Sequence, residues 1–357
     1  MWFAWAGARR WRCAAMPGGA REFHRSLPGF ADTPLTEVPA LAAELGLGRV
    51  FMKDESARLG LPAFKVLGAS WAVHQALARW TAPGPVTLVT ATDGNHGRAV
   101  AWVARLLGQR ASVFVPDGVH PAAVAAIAAE GGEVTHVTGD YDEAVRQAAA
   151  AAAGPEAILI QDTAWPGYQQ IPGWIVEGYG TLCAEIDEQL AAADAGPPDL
   201  VGIPVGVGSL AQAVVTYYRS RPDATGPALL AVEPEAASWV VASLTRGEPV
   251  SVRTSETIMA GLNCGTPSSL AWPILRSGLD AAVTVTDAQT ARAAGDLAVA
   301  GVPAGPCGAA PLAGLRAALT GDGAVQRRAE LGLGPGATVV LLSTEGSAAN
   351  PHVLLGR

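Results

Sequence analysis

The feature that most limits how this chain can fold is the rhythm between residues 86 and 162. Short apolar runs, "VTLVTA", "ASVFVP", "EVTHVT" and "AILIQD", take turns with alanine-rich stretches. The stretches predict helices over Asn95 to Leu107, through Ala122 to Glu130, and through "YDEAVRQAAAAAA". Apolar strands separated by helices of this length indicate a parallel sheet covered on both faces. The rhythm resumes after the Gly/Pro loop "AGPPD". There "LVGIPVG" and "ALLAVEP" read as strands around a helix from Leu210 to Tyr218, and "TVVLLST" as a last strong strand. The expectation is an α/β protein of two open, mostly parallel sheet domains. A smaller unit at residues 82–165 is inserted in a larger one made of 21–81 and 166–357.

Composition supports that reading and narrows the function. Of 357 residues half are hydrophobic and 16% charged, enough apolar material for a substantial core. A net charge of −8 argues against nucleic acid as a partner, because phosphate backbones need a basic surface. No apolar run approaches the roughly 18 residues of a membrane span. Cys13, Cys183, Cys264 and Cys307 fit neither a disulfide framework nor a close-spaced zinc site. A reducing cytoplasm is expected, and no residue is assigned to a metal. Three tryptophans and four arginines precede the first acid, Glu22, without the apolar core of a secretory signal. Residues 1–20 read as a loose or non-native arm, with Met16 as an alternative start.

Four short pieces carry chemistry. In "GLPAFKVLGAS" (60–70), Lys65 stands in a mostly apolar stretch. It is either a surface lysine whose stem lies along the protein or a Schiff-base lysine. In "TDGNHG", Gly94 and Gly97 allow backbone to approach a ligand, and the helix opening near Asn95 offers unpaired N–H groups. An ordinary helix start has the same look. In "VGVGSLAQAV" (205–214) a glycine loop follows a strand and opens a helix, a geometry that wraps phosphate. It is neither GxGxxG nor a Walker loop, which points to a small phosphorylated cofactor and not to a nucleotide. "LLSTEGS" (341–347) is a strand ending in a hydroxyl.

In this order the four pieces resemble the fold type II family of pyridoxal phosphate (PLP) enzymes, and most closely the diaminopropionate ammonia-lyases. The resemblance spans about residues 22 to 350. It is carried by "REFHRSLPGFADTPL", "MKDESARLGLPAFKVLGAS", "ATDGNHGRAVAW", "QDTAWPGYQQIP" and "TIMAGLNCGTPS". It implies that Lys65 holds the cofactor and moves the Cα proton, and that Asn95 bonds the ring's 3′-oxygen. Phe64 would pack near the ring, and Gly206, Val207, Gly208, Ser209 and Leu210 would cradle the phosphate. Ser343 would face the pyridine nitrogen, with Thr344 as the alternative one residue on. Asp93 stands where serine and threonine dehydratases have serine. It is implied as a second base that deprotonates the D enantiomer while Lys65 serves the L form. Asp162 is implied as an acid near the distal amine, or else it caps the turn before Trp165.

The implied reaction is α,β-elimination of 2,3-diaminopropionate to pyruvate and ammonia, by a cytoplasmic homodimer. A serine or threonine ammonia-lyase on the same scaffold, or a PLP-binding protein without turnover, are the alternatives. His96 reads as a helix-start residue bonded to backbone or as a base. Glu233 reads as a ring contact or a surface acid, and Cys264 and Cys307 read as packing. The family's aspartate after "STEG" is Ser347 here, and the phosphate loop has fewer glycines than many dehydratases.

Overall fold

The computed structural model describes residues 1–221 and 226–349, so residues 350–357 of the expected larger unit lie outside the described residues. In chain order its strands are β1 (Trp2–Ala4), β2 (Leu35–Glu37), β3 (Arg49–Asp54), β4 (Thr87–Ala91), β5 (Arg110–Val115) and β6 (Glu133–His136). They continue as β7 (Ala157–Leu159), β8 (Leu200–Pro204), β9 (Ala228–Pro234), β10 (Ala281–Val285) and β11 (Thr338–Ser343). One sheet runs β6-β5-β4-β7 and is parallel throughout. The other runs β1-β10-β9-β8-β11-β3-β2, parallel except at its two edges, where β1 and β2 pair antiparallel. Every strand and helix that the rhythm predicts is present, with ends trimmed or extended by a few residues.

The central strands of the larger sheet are apolar throughout because they bury both faces. On β11, Val340 and Leu342 enter one core with Phe51 and Val201, while Val339 and Leu341 enter the opposite core with Val50, Met52 and Leu200. All nine are at most 2% exposed. Side chains alternate at period two, and each fully buried Leu or Val stabilises the fold by about 1.5–3 kcal/mol.

Two helices set the position of Lys65. The helix Lys65–Leu77 crosses the helix Gln170–Ala192 at Gly68 and Gly178. A Cβ on Gly178 would stand 2.5 Å from the Leu67 carbonyl oxygen, so the backbones can meet only without side chains there. Behind the crossing, His24 bonds Thr181 Oγ1 at 2.7 Å and the Leu67 carbonyl at 2.9 Å. Burial pushes its pKa down to about 4, which keeps it neutral.

The expected loose arm is instead built into the fold. Trp2 to Ala4 form the edge strand on β10, and Trp5 N–H donates to Asp280 O at 2.8 Å. Arg9 bonds Asp280 Oδ1 at 3.0 Å, and Arg219 bonds the other oxygen of the same carboxylate at 2.5 Å. The edge of β10 offers unpaired backbone groups, and Trp2, Phe3 and Trp11 pack against the cores while Trp5 stays exposed.

Candidate active site

Lys65 opens its helix because the preceding loop is stitched to the end of β11. Phe64 N–H donates to Thr344 O at 3.1 Å and Gly346 N–H donates to Pro62 O at 2.9 Å. Across the cleft, β4 ends at Ala91, and Thr92 Oγ1 accepts from the N–H groups of Gly94 (2.9 Å) and Gly97 (3.1 Å). That turn starts the helix Asn95–Leu106 and sends Asp93 and Asn95 toward the lysine. β7 stops at Leu159, freeing Gln161 and Asp162 from the sheet. The Gln161 side chain accepts from Ala91 N–H at 2.9 Å and donates to Tyr141 Oη at 2.7 Å.

The resulting cleft lies between the two sheets. It is lined by Phe64, Lys65, Asp93, Asn95, Asp162 and the whole loop Gly206 to Leu210, with Thr344 and Glu345 on the β11 side. Ser343 lies just outside the lining. It is fully buried, and its Oγ has no hydrogen-bond partner among the described residues.

Lys65 Nζ donates to Asp162 Oδ2 at 2.6 Å. Burial by itself would lower the amine's pKa, but the Asp162 carboxylate outweighs it and holds the lysine above its usual range. Burial likewise would raise Asp162, but Lys65 and the nearby His96 pull it down to about 2. Asp93 is half-buried in the same cleft and behaves oppositely. Burial and the Asp162 charge push it up to about 7, with Lys65 only partly opposing. Asp162 is therefore a fixed anion, and Asp93 is a carboxyl that changes state near neutral pH. The Asp162 carboxylate bonds Lys65 and, at 3.4 Å, Gln161 Nε2, while in the turn before Trp165 the Ala164 N–H donates to Ser268 Oγ at 3.0 Å.

The glycine loop is shaped for a group that needs backbone donors. A Cβ on Gly206 would come within 2.8 Å of Gly261 O, and one on Gly208, whose φ is 103°, within 2.8 Å of Ala271 Cβ. The loop is pinned by Trp239 Nε1 donating to Gly206 O at 2.7 Å and by Ser209 Oγ donating to Asp162 O at 2.5 Å. It opens the helix Ser209–Arg219, whose first N–H groups have no partner within the helix and attract an anion.

The family model of the pyridoxal-phosphate dependent enzymes matches residues 27–345. The diaminopropionate ammonia-lyase of Salmonella typhimurium is 39% identical over 76% of this chain and 72% of its own length. The chain belongs to the pyridoxal-phosphate dependent enzymes, among the diaminopropionate ammonia-lyases. The fold agrees. The Escherichia coli diaminopropionate ammonia lyase in complex with an aminoacrylate-PLP azomethine reaction intermediate superposes with a TM-score of 0.86. That chain is 34% identical, over 93% of this chain and 89% of its own. The same enzyme in complex with D-serine gives 0.87. An L-threonine dehydratase of Mycobacterium leprae is 29% identical over 90% of this chain and 70% of its own length.

As a PLP-dependent enzyme of fold type II, the chain has a site whose parts suit the cofactor. A loop with two glycines at a helix N-terminus suits a phosphate, and an amine and an amide line one cleft with it. An orphaned hydroxyl, Ser343 Oγ, lies buried beside the wall. His96 Nε2 bonds Ile160 O at 2.7 Å, and burial lowers its pKa. It is thus the backbone-bonded helix-start histidine. Neither reading of Glu233 holds. It is wholly buried on β9, accepts from the N–H groups of Val240 and Val241 at 2.8 Å each, and burial pushes it up to about 8. Cys264 and Cys307 are buried in the cleft wall, and burial raises both thiols. Two lining residues, Tyr141 and Glu345, went unread. Tyr141 has no local signal, and Glu345 stood in view inside "STEG". Among the described residues no group of three or more His, Cys, Asp and Glu could hold a metal, and no helix is long and apolar enough to cross a membrane.

Proposed function

We propose that this site eliminates ammonia from 2,3-diaminopropionate, in both D and L forms, and releases pyruvate and a second ammonia. The observation that carries the proposal is Asp93, a carboxyl poised at about 7 in the same cleft as Lys65. A general base works best with its pKa near the working pH. Bound PLP supplies the electron sink for the pair left when the Cα–H bond breaks. The chain's own residues do the rest. Gly206 to Leu210 hold the phosphate on backbone N–H groups, Asn95 donates to the 3′-oxygen, and Phe64 packs against the ring. A neutral hydroxyl, Ser343 or Thr344, faces the ring nitrogen and cannot hold it protonated as a carboxylate would.

Lys65 takes the Cα proton of the L substrate, and Asp93 takes that of the D substrate. Loading the cofactor uses the Lys65 nitrogen that now bonds Asp162. Asp162 is then left to hold the protonated β-amine, which departs as ammonia. Residues 82–165 form the unit that brings Asp93, Asn95 and Asp162 to the lysine, and two copies of the chain act as a cytoplasmic homodimer.

The test is pyruvate release from D- and L-diaminopropionate, D- and L-serine and L-threonine. Both diaminopropionates should be turned over best. Asp93→Asn should lose roughly 10²–10⁴-fold on the D form and much less on the L form. Equal losses would remove the two-base assignment. Turnover of threonine with none of diaminopropionate would make the enzyme a dehydratase.

A further inference from the structure

Glu345 has no part in the chemistry just described, yet it is a carboxylate at 2% exposure in the wall of the cleft. Its two oxygens face opposite ways. Oε1 accepts from Cys307 N–H at 3.1 Å, in the first turn of the helix Pro306–Leu319. Oε2 accepts from Asn95 Nδ2 at 2.6 Å, reaching across to the helix that begins the other side of the cleft. Its backbone is also fixed: Gly305 N–H donates to Glu345 O at 2.9 Å, and Glu345 bridges to Ala63, two residues before Lys65. Nothing larger than glycine fits against it. A Cβ on Gly305 would stand 3.0 Å from Oε1, and one on Gly308 2.5 Å from the Glu345 carbonyl oxygen.

An asparagine side chain can turn over, exchanging its donor and acceptor ends at nearly the same shape. A carboxylate only accepts, so Glu345 admits Nδ2 and rejects Oδ1. We propose that Glu345 is a positioning residue for Asn95. It anchors on the helix N-terminus with one oxygen and locks the asparagine amide with the other, so that the second Nδ2 proton serves the cofactor's 3′-oxygen. A buried carboxylate is costly unless its bonds are made, and these two charge-assisted bonds meet that cost while joining the two sides of the cleft. The inference rests on the reading of Asn95 as the 3′-oxygen partner. The lock itself is a feature of the chain alone and can be seen without cofactor.

The chain contains three asparagines, Asn95, Asn263 and Asn350, so selective ¹⁵N-asparagine labelling yields three side-chain amide pairs. In cofactor-free protein the Asn95 pair, assigned by its loss in Asn95→Ala, should be shifted away from the free-amide position. Glu345→Gln and Glu345→Ala should move it back. In PLP-loaded protein, Glu345→Gln should bind the cofactor roughly tenfold more weakly, the order expected for one charge-assisted bond. It should also displace the visible band of the lysine-held cofactor. Adding Asn95→Ala should cause little further loss, because the two residues act as one unit. A Glu345→Gln protein with an unmoved Asn95 pair would overturn the lock. An unmoved band, or losses that simply add, would overturn its action on the cofactor. A Glu345 that only capped its helix would lower the melting temperature and leave the Asn95 signals in place. If the wild type binds no PLP while the amide signals behave as expected, the reading of the site fails and the lock stands.

Discussion

Two charge clusters, one in the core and one in the cleft, differ in one respect. In the core, Lys53, Glu55, Arg58 and Glu185 are all 0% exposed and saturate one another. Arg58 bonds both glutamates at 2.7 to 2.9 Å, and Lys53 bonds Glu185 at 2.7 Å and Thr33 O at 2.7 Å. Two cations meet two anions, and no oxygen is left over for solvent or ligand. In the cleft, Lys65 and Asp162 also pair, but a further carboxyl, Asp93, is set beside them without a cation of its own. The first cluster is closed and has no chemistry to offer. The second is one positive charge short, and burial together with the Asp162 charge raises Asp93 to about 7. Saturation marks structure, and a deliberate deficit marks function.

Breaking each cluster should have opposite consequences. Lys65→Ala is expected to abolish turnover, by roughly 10⁴-fold or more, and to remove the visible cofactor band. Its folding stability should change by only about 1 kcal/mol, because Asp162 can take up a proton or water from the cleft. Stopped-flow pyruvate assays and thermal unfolding of the apo protein measure the two halves. A loss of stability as large as the loss of activity would erase the distinction.

Glu185→Ala should do the reverse. Two cations would be left buried without their shared partner, costing about 3–5 kcal/mol in denaturant unfolding, while kcat in the folded fraction stays near wild type. A variant as stable as the parent would show that water reaches this core.

The smallest expected effect is in the pH dependence of stability. The folded-state pKa of Asp93 lies above the ordinary aspartate value of 3.8, so between about 4 and 7 the folded state binds more protons than the unfolded one. Its contribution therefore falls as pH rises through that window. Apo wild type should lose stability from pH 4 to 7 more steeply than Asp93→Asn, whose amide does not titrate. Parallel curves would mean that Asp93 is not held in a deficit of positive charge.

Much of the fold could be read directly. Alternation of apolar runs and alanine-rich helices is a local property, and the central strands obey it because both their faces are buried. The N-terminal edge strand could not be read in that way. Trp2 to Ala4 have no rhythm of their own, and they are a strand because β10 presents an open edge to them. The site was legible by residue type: Lys65, Asp93, Asn95, Asp162 and the loop at 206–210 do line one cleft. Residues whose role depends on a distant partner were misread or passed over. Glu233 looked like a ring neighbour or a surface acid but anchors the start of the helix Trp239–Arg246.

The order and chemistry of these motifs, lysine before a glycine turn with an acid, then a phosphate loop, then a strand ending in hydroxyls, are properties of the sequence, and they determined the family and its cofactor. What an ionisable group does depends on desolvation and on charges brought from far along the chain, which no local pattern encodes. Only the tertiary structure, by setting Lys65 against Asp162 97 positions away, decided that one aspartate is a fixed anion while its neighbour is raised toward neutral pH. The same packing decided that Glu345 reaches across 250 positions to hold the Asn95 amide.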